Sequence, residues 1–175
     1  MRLNQNCVLC FILFILFLTS GCQKKVEPRL VTSQNIMIRL KATNDLNPDN
    51  SGTPLSVRVR LYPLKDKKKV LEADFEKIVE EGDAYLKADL ARDMEQKELT
   101  IFPGNEIAVG FKRNSEVSFI AVVAFFRNAT GVSWRKVIDL NPLDATAKDH
   151  LEFQFTLDKN AIEIDQRLEC DITEK

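Results

Sequence analysis

From residue 36 onward the dominant pattern is alternation with a period of two. In "VRVRLY" Val57, Val59 and Leu61 face one way and Arg58, Arg60 and Tyr62 the other. In "LEFQFTL" Leu151, Phe153, Phe155 and Leu157 alternate with Glu152, Gln154 and Thr156, and Asn160 then turns the chain into "AIEIDQRL", where Ile162 and Ile164 share a face. "LTIFPGNEIAVGF" predicts a strand, a Pro103-Gly104 turn and a second strand with Ile107, Val109 and Phe111 on one face. "SFIAVVAFF", Ser118 to Phe126, is almost wholly apolar, as a central strand buried on both faces would be. Adding "IMIRLKAT", "LSVRVRLYPL" and "VSWRKVIDL" brings the expected strands to about eight. Phe125, Phe153, Phe155 and Leu61 are the expected core residues.

One region breaks this period. In "KKVLEADFEKIVEE", Lys68 to Glu81, the apolar residues Val70, Leu71, Phe75, Ile78 and Val79 fall at helical spacing. Gly82 is expected to end the helix, and "DAYLKADLARDM" to add a second short helix or turn. The fold class expected is mainly β, a two-sheet antiparallel sandwich with a helical insertion, about residues 66–94, after the second strand. No internal repeat is visible.

Between the first two strands lies "NDLNPDNSGTP", Asn44 to Pro54, with two prolines, a glycine, three asparagines and two aspartates. Hairpins need only about two to five linking residues, so this connection is long. Long structured loops in compact domains often carry function. Proline restricts the backbone, and Asn and Asp side chains bond to their own main chain, which favours a loop shaped before it binds. The same residues also suit a solvated connector.

The N-terminus bears on localisation. Arg2 is followed by the twelve-residue apolar run Cys7 to Leu18, "CVLCFILFILFL". A bilayer-crossing helix needs about 20 apolar residues, so the run fits the core of a signal peptide, residues 1–21. "LTSGC" then places small residues before Cys22, the order of a bacterial lipoprotein cleavage site at which the cysteine receives a diacylglycerol. Leucine normally stands three residues before that cysteine; here Thr19 does, with Leu18 one step earlier. An ordinary secretory signal cut near Gly21 is the alternative. Residues 22–34 are polar and read as a lipidated N-terminus and tether to a sandwich domain spanning 35–175. Gln23 at the second mature position, where aspartate signals inner-membrane retention, points to the outer membrane.

Composition narrows the function mostly by exclusion. The formal net charge is -1, with 25 basic and 26 acidic residues, so nothing marks a nucleic-acid binder. Of four cysteines, Cys7 and Cys10 leave with the signal; if Cys22 is acylated, only Cys170 remains and no internal disulfide can form. His150, the one histidine, is expected in a surface loop, and no nucleophile motif, phosphate-cradling loop or metal-ligand spacing is present. Trp134 is expected in the core, although Trp134 with Arg135 could also form a binding surface. The residues alone describe a lipid-anchored β-domain facing the periplasm that binds something.

The order of motifs resembles a known family. Asn47-Pro48-Asp49, Val59-Arg60-Leu61-Tyr62, Ala73-Asp74-Phe75, Pro103-Gly104, Ala124-Phe125-Phe126-Arg127 and Trp134-Arg135 follow one another as in the type VI secretion outer-membrane lipoproteins, the TssJ or SciN family. The similarity runs from Cys22 to about Leu140; from Asn141 on it consists only of two strands. Pro63 departs from the family's usual glutamine, so the second strand should end early there or lie at an edge.

The resemblance implies a transthyretin-like sandwich, no catalysis, and a structural role tying the inner-membrane protein TssM to the outer membrane. It also implies that the TssM periplasmic C-terminal domain contacts the loop of Asn44, Asp45, Leu46, Asn47, Pro48, Asp49, Asn50 and Ser51. Neither the residues nor the resemblance calls for a cofactor, a metal or a small-molecule substrate. The competing reading is another periplasm-facing lipoprotein that binds a small ligand or secreted partner through its sandwich.

Overall fold

A computed structural model describes residues 34–141 and 150–168. The signal peptide, Cys22, residues 23–33 of the expected tether and Cys170 lie outside the described residues; Gln34, expected to end the tether, is instead buried in the first strand, where it pairs with Arg113. Eight strands form two sheets. They are β1 (Gln34–Ala42), β2 (Val57–Leu64), β3 (Lys97–Ile101), β4 (Glu106–Arg113), β5 (Phe119–Ala124), β6 (Arg135–Asp139), β7 (His150–Asp158) and β8 (Ala161–Leu168). One sheet runs β4-β1-β7-β8 and the other β3-β2-β5-β6. All pairings are antiparallel except β1 with β7, which is parallel and aligns Ile36 with Leu151 and Leu40 with Phe155.

Alternation builds the core. Ile36, Ile38 and Leu40 of β1, Val57, Val59 and Leu61 of β2, and Leu151, Phe153, Phe155 and Leu157 of β7 are all buried. The β5 residues from Ile120 to Ala124 are buried throughout, consistent with a strand between β2 and β6 that is covered on both faces. Edge strand β4 buries Phe111 and half-buries Ile107 and Val109. Phe125, expected in the core, is half-buried, with Arg58 and Arg60 stacked over its ring at 4.5 and 5.4 Å; Phe126 is the buried one. Ile162 is buried and Ile164 is exposed on edge strand β8. His150 is the first residue of β7, paired with Asn35, rather than a loop residue.

The insertion is two helices, α1 (Lys68–Glu72) and α2 (Phe75–Leu86), not one run through Glu81. Ala73 is extended, and the Asp74 side chain accepts the Lys77 backbone N–H at 2.8 Å, so a new N-cap replaces the continuing ladder. Gly82 does not end the helix; it is buried inside α2, where a Cβ would stand 3.1 Å from the Tyr62 hydroxyl. The glycine serves a close crossing of helix over sheet. Tyr62 and Leu64, on the face of β2 opposite Val59 and Leu61, are thereby buried. Pro63 does not cut β2 short: pairing with β5 continues to Leu64. On the other flank the β3 ladder stops at Leu61–Lys97, so the missing N–H falls where no strand needs it, and the Pro63 carbonyl accepts the Ala91 N–H.

Candidate functional site

The long β1–β2 connection sits at one end of the sandwich and is built from the inside outward. Leu46 is fully buried and joins the core. Asn47 beside it is 3% exposed and has φ of 48°, in the left-handed region that asparagine tolerates better than most residues. Its Nδ2 donates to the Ser56 carbonyl at 2.8 Å, its Oδ1 accepts the Arg127 N–H at 2.8 Å, and its own N–H donates to the Lys159 carbonyl at 2.7 Å. One side chain and its peptide thus tie this loop to the β5–β6 and β7–β8 turns.

Asp49 organises the tip. Its Oδ1 accepts the N–H groups of Ser51 and Thr53 at 2.8 and 2.9 Å, and its own N–H donates to the Thr53 carbonyl. Gly52, at φ of 82°, returns its N–H to the Asp49 carbonyl and closes the turn. At the base, the Leu55 N–H donates to Leu46, Thr43 Oγ1 donates to Asp158 at 2.7 Å, and the Gly104 N–H donates to the Thr43 carbonyl. Gly104 has φ of 73°, and a Cβ there would lie 2.6 Å from Asn44 Oδ1, so the β3–β4 turn leaves no space for a larger residue against the loop.

The eight loop residues singled out by sequence therefore divide. Leu46, Asn47 and Asp49 hold the loop's shape. Asn44, Asp45, Asn50 and Ser51 are exposed and Pro48 is half-buried. Sequence reasoning missed two neighbours that share this end: Phe102, in the turn after β3, and Val132, in the turn before β6, which are 56% and 64% exposed. Both stood at the ends of expected strands, Phe102 before the Pro103-Gly104 turn and Val132 at the head of "VSWRKVIDL", but β3 stops at Ile101 and β6 begins only at Arg135, which leaves the two apolar residues on turns.

Trp134 and Arg135 are structural. Trp134 is buried, donates from Nε1 to the Gly131 carbonyl at 3.0 Å and meets Phe75 edge-on, with ring centroids 5.4 Å apart. Arg135 stacks on the indole and donates to the carbonyls of Ala73 and Leu71, at the C-terminal end of α1. Burial lowers the Arg135 pKa from its ordinary value. On the outer face of β2, burial raises the Tyr62 phenol. Burial also opposes the charge of Arg60, but its bonds to Tyr62 and Glu98 outweigh this and its pKa is raised. An open cleft of about 480 Å3 lies between the β3 and β4 edges, lined by Met94, Lys97, Phe111 and Arg113 among others. Among the described residues no group of three or more His, Cys, Asp or Glu could hold a metal ion, and no helix is long and apolar enough to cross a membrane.

The model of the family described as type VI secretion lipoprotein, VasD, EvfM, TssJ matches residues 34–164. The chain belongs to that family. It is a family of structural secretion lipoproteins and not of enzymes. Comparison with curated proteins gives no match. Among solved structures, the T6SS lipoprotein TssJ1 from Pseudomonas aeruginosa is 26% identical with a TM-score of 0.65, over 79% of this chain and 98% of that one. Serratia marcescens Lip, a membrane-bound component of the type VI secretion system, is 18% identical with a TM-score of 0.67, over 78% and 99%. A chain in a structure of the TssM C-terminal domain from EAEC is 24% identical with a TM-score of 0.60, over 76% and 98%. The two-sheet sandwich expected from the sequence is thus the fold of TssJ lipoproteins.

Proposed function

We propose that this lipoprotein ties TssM to the outer membrane and that the β1–β2 loop is where TssM binds. On this reading residues 1–21 are removed, Cys22 is acylated on the periplasmic face of the outer membrane, and residues 22–33 tether the domain, which begins with β1 at Gln34. The observation that carries the reading is the construction of the loop. A solvated connector does not need a buried leucine, a left-handed asparagine bonded to two other turns and an aspartate-closed tip, whereas a binding loop gains from being ordered beforehand. Similarity to chains in structures of the TssM C-terminal domain and of the type VI membrane complex supports the choice of partner. The polar loop suits a modest, wet interface.

The test must spare the residues that shape the loop. Asp45→Arg with Asn50→Arg alters two exposed positions and leaves Leu46, Asn47 and Asp49 in place. Binding to the purified periplasmic part of TssM should weaken about tenfold or more, with an unchanged denaturation midpoint. Wild-type affinity in this variant places the contact elsewhere. No binding by the wild-type protein removes the partner.

A further inference from the structure

Five large apolar side chains are exposed among the described residues: Leu71, Val79, Phe102, Val132 and Ile164. Leu71 and Val79 belong to the helices and Ile164 to edge strand β8. Phe102 and Val132 alone stand on turns joined to the β1–β2 loop. The Phe102 turn joins it through the Gly104 N–H to the Thr43 carbonyl at 3.1 Å, and through the Ala42 N–H to the Asn105 carbonyl. The Val132 turn joins it through Asn47 Oδ1 to the Arg127 N–H at its start.

In sheet order, Phe102 follows β3 and Val132 precedes β6, with β2 and β5 between. The end of β3 and the start of β6, from which these turns lead, are three strand spacings or about 14 Å apart, and the loop enters the sheet at β2 between them. That span fits inside a standard contact patch of about 800 Å2 per partner.

The loop itself offers little apolar surface. Leu46 is buried, Pro48 and Leu55 are half-buried, and the exposed positions are Asn44, Asp45, Asn50 and Ser51 along with Gly52 and Thr53. Interface energy concentrates in a few desolvated aromatic and aliphatic anchors, while polar contacts set register. A body seated on this loop reaches both flanking turns, because the hydrogen bonds fix them to it.

We infer that Phe102 and Val132 are the apolar anchors of the partner interface and that the β1–β2 loop supplies its polar, register-setting part. This rests on the reading that TssM seats on that loop. The TssM surface should then present two apolar recesses on either side of a polar strip.

The experiment measures the affinity of the purified periplasmic TssM fragment for four proteins: wild type, Phe102→Asp with Val132→Asp, the Asp45→Arg/Asn50→Arg loop variant, and Leu71→Asp with Val79→Asp as a control on the helical layer. All altered side chains are exposed, and each variant is first matched to wild type in denaturation midpoint. The Phe102/Val132 pair is expected to weaken binding by about a hundredfold, more than the loop variant, with the helical control at wild-type affinity. Near-wild-type binding by the Phe102/Val132 pair, with loss in the loop variant, overturns the inference and leaves the proposed function standing. Loss confined to the helical control overturns both. So does the absence of wild-type binding.

Discussion

Asn47 Oδ1 accepts the backbone N–H of Arg127 at 2.8 Å, across 80 positions of sequence. The same side chain donates to Ser56, so both ends of its amide are used in a nearly buried site. Asn47→Ala leaves the Arg127 N–H and the Ser56 carbonyl without this partner and puts a Cβ-only residue at a positive φ. The expected loss is about 2–4 kcal/mol in denaturant unfolding. Asn47→Asp keeps the acceptor but cannot donate to Ser56, and should fall between alanine and wild type.

Gly82 and Tyr62 give a prediction whose sign depends on background. Alanine inside a helix normally gains about 0.5–1 kcal/mol over glycine. Here its Cβ would meet the Tyr62 hydroxyl at 3.1 Å, and that hydroxyl is held by a 3.1 Å bond to Asp83. Gly82→Ala should lower the thermal midpoint in wild type and raise it in Tyr62→Phe. A gain in both backgrounds shows that the tyrosine yields freely.

Two phenylalanines separate core from surface. Phe153→Ala empties a buried site and should cost about 3–5 kcal/mol. Phe125→Ala removes a half-buried ring under two arginines and should cost about 1–2 kcal/mol. Equal losses in urea unfolding would contradict this assignment.

Asp139 carries a pH-dependent contribution. Its hydrogen bond with Lys67, at 2.9 Å, lowers the carboxyl pKa, and the bonds from Asn141 act in the same direction. A depressed folded pKa means stability present above the unfolded value of about 3.9 and lost as pH falls through the folded one. The pair is exposed, so the amount is about 1 kcal/mol or less. The stability difference between wild type and Asp139→Asn should be largest near about pH 7 and vanish near about pH 2.

Acylation of Cys22 is checked by palmitate labelling in cells. Wild type should incorporate label and fractionate with outer membrane, while Cys22→Ser should do neither. Two or more acyl chains give stable attachment where one gives only marginal binding. Equal labelling of both proteins rules acylation at Cys22 out.

Most strands were legible because a half-buried strand writes its burial directly as alternation, as in Val57, Val59 and Leu61. Where both faces are covered that signal is lost, and "SFIAVVAFF" could not reveal that Phe126 turns inward and Phe125 outward. The parallel pairing of β1 with β7 joins residues more than a hundred positions apart, and nothing local to either strand encodes it. Gly82 read as a stop because its reason for being glycine is the Tyr62 hydroxyl, which only the fold brings near. The site was half legible. The unusual length of the loop was visible, but the inward roles of Leu46 and Asn47 depend on turns that sequence places far away.

Strand β1 leads from Gln34 to the loop that starts at Thr43 and lies between β4 and β7, with eight aligned residue pairs on each side. A pull between a membrane anchor before Gln34 and a partner on the loop would act along this strand. Both points of application then fall on one extended strand, so its covalent backbone carries the load, and the ladder bonds on either flank keep it in place without being opened one at a time like a zipper. The domain is connected as a mechanical link, and its resistance to extension should depend on where it is pulled: high between residues 34 and 43, where the chain is already extended, and low between the ends of the β7–β8 hairpin, whose bonds open in turn.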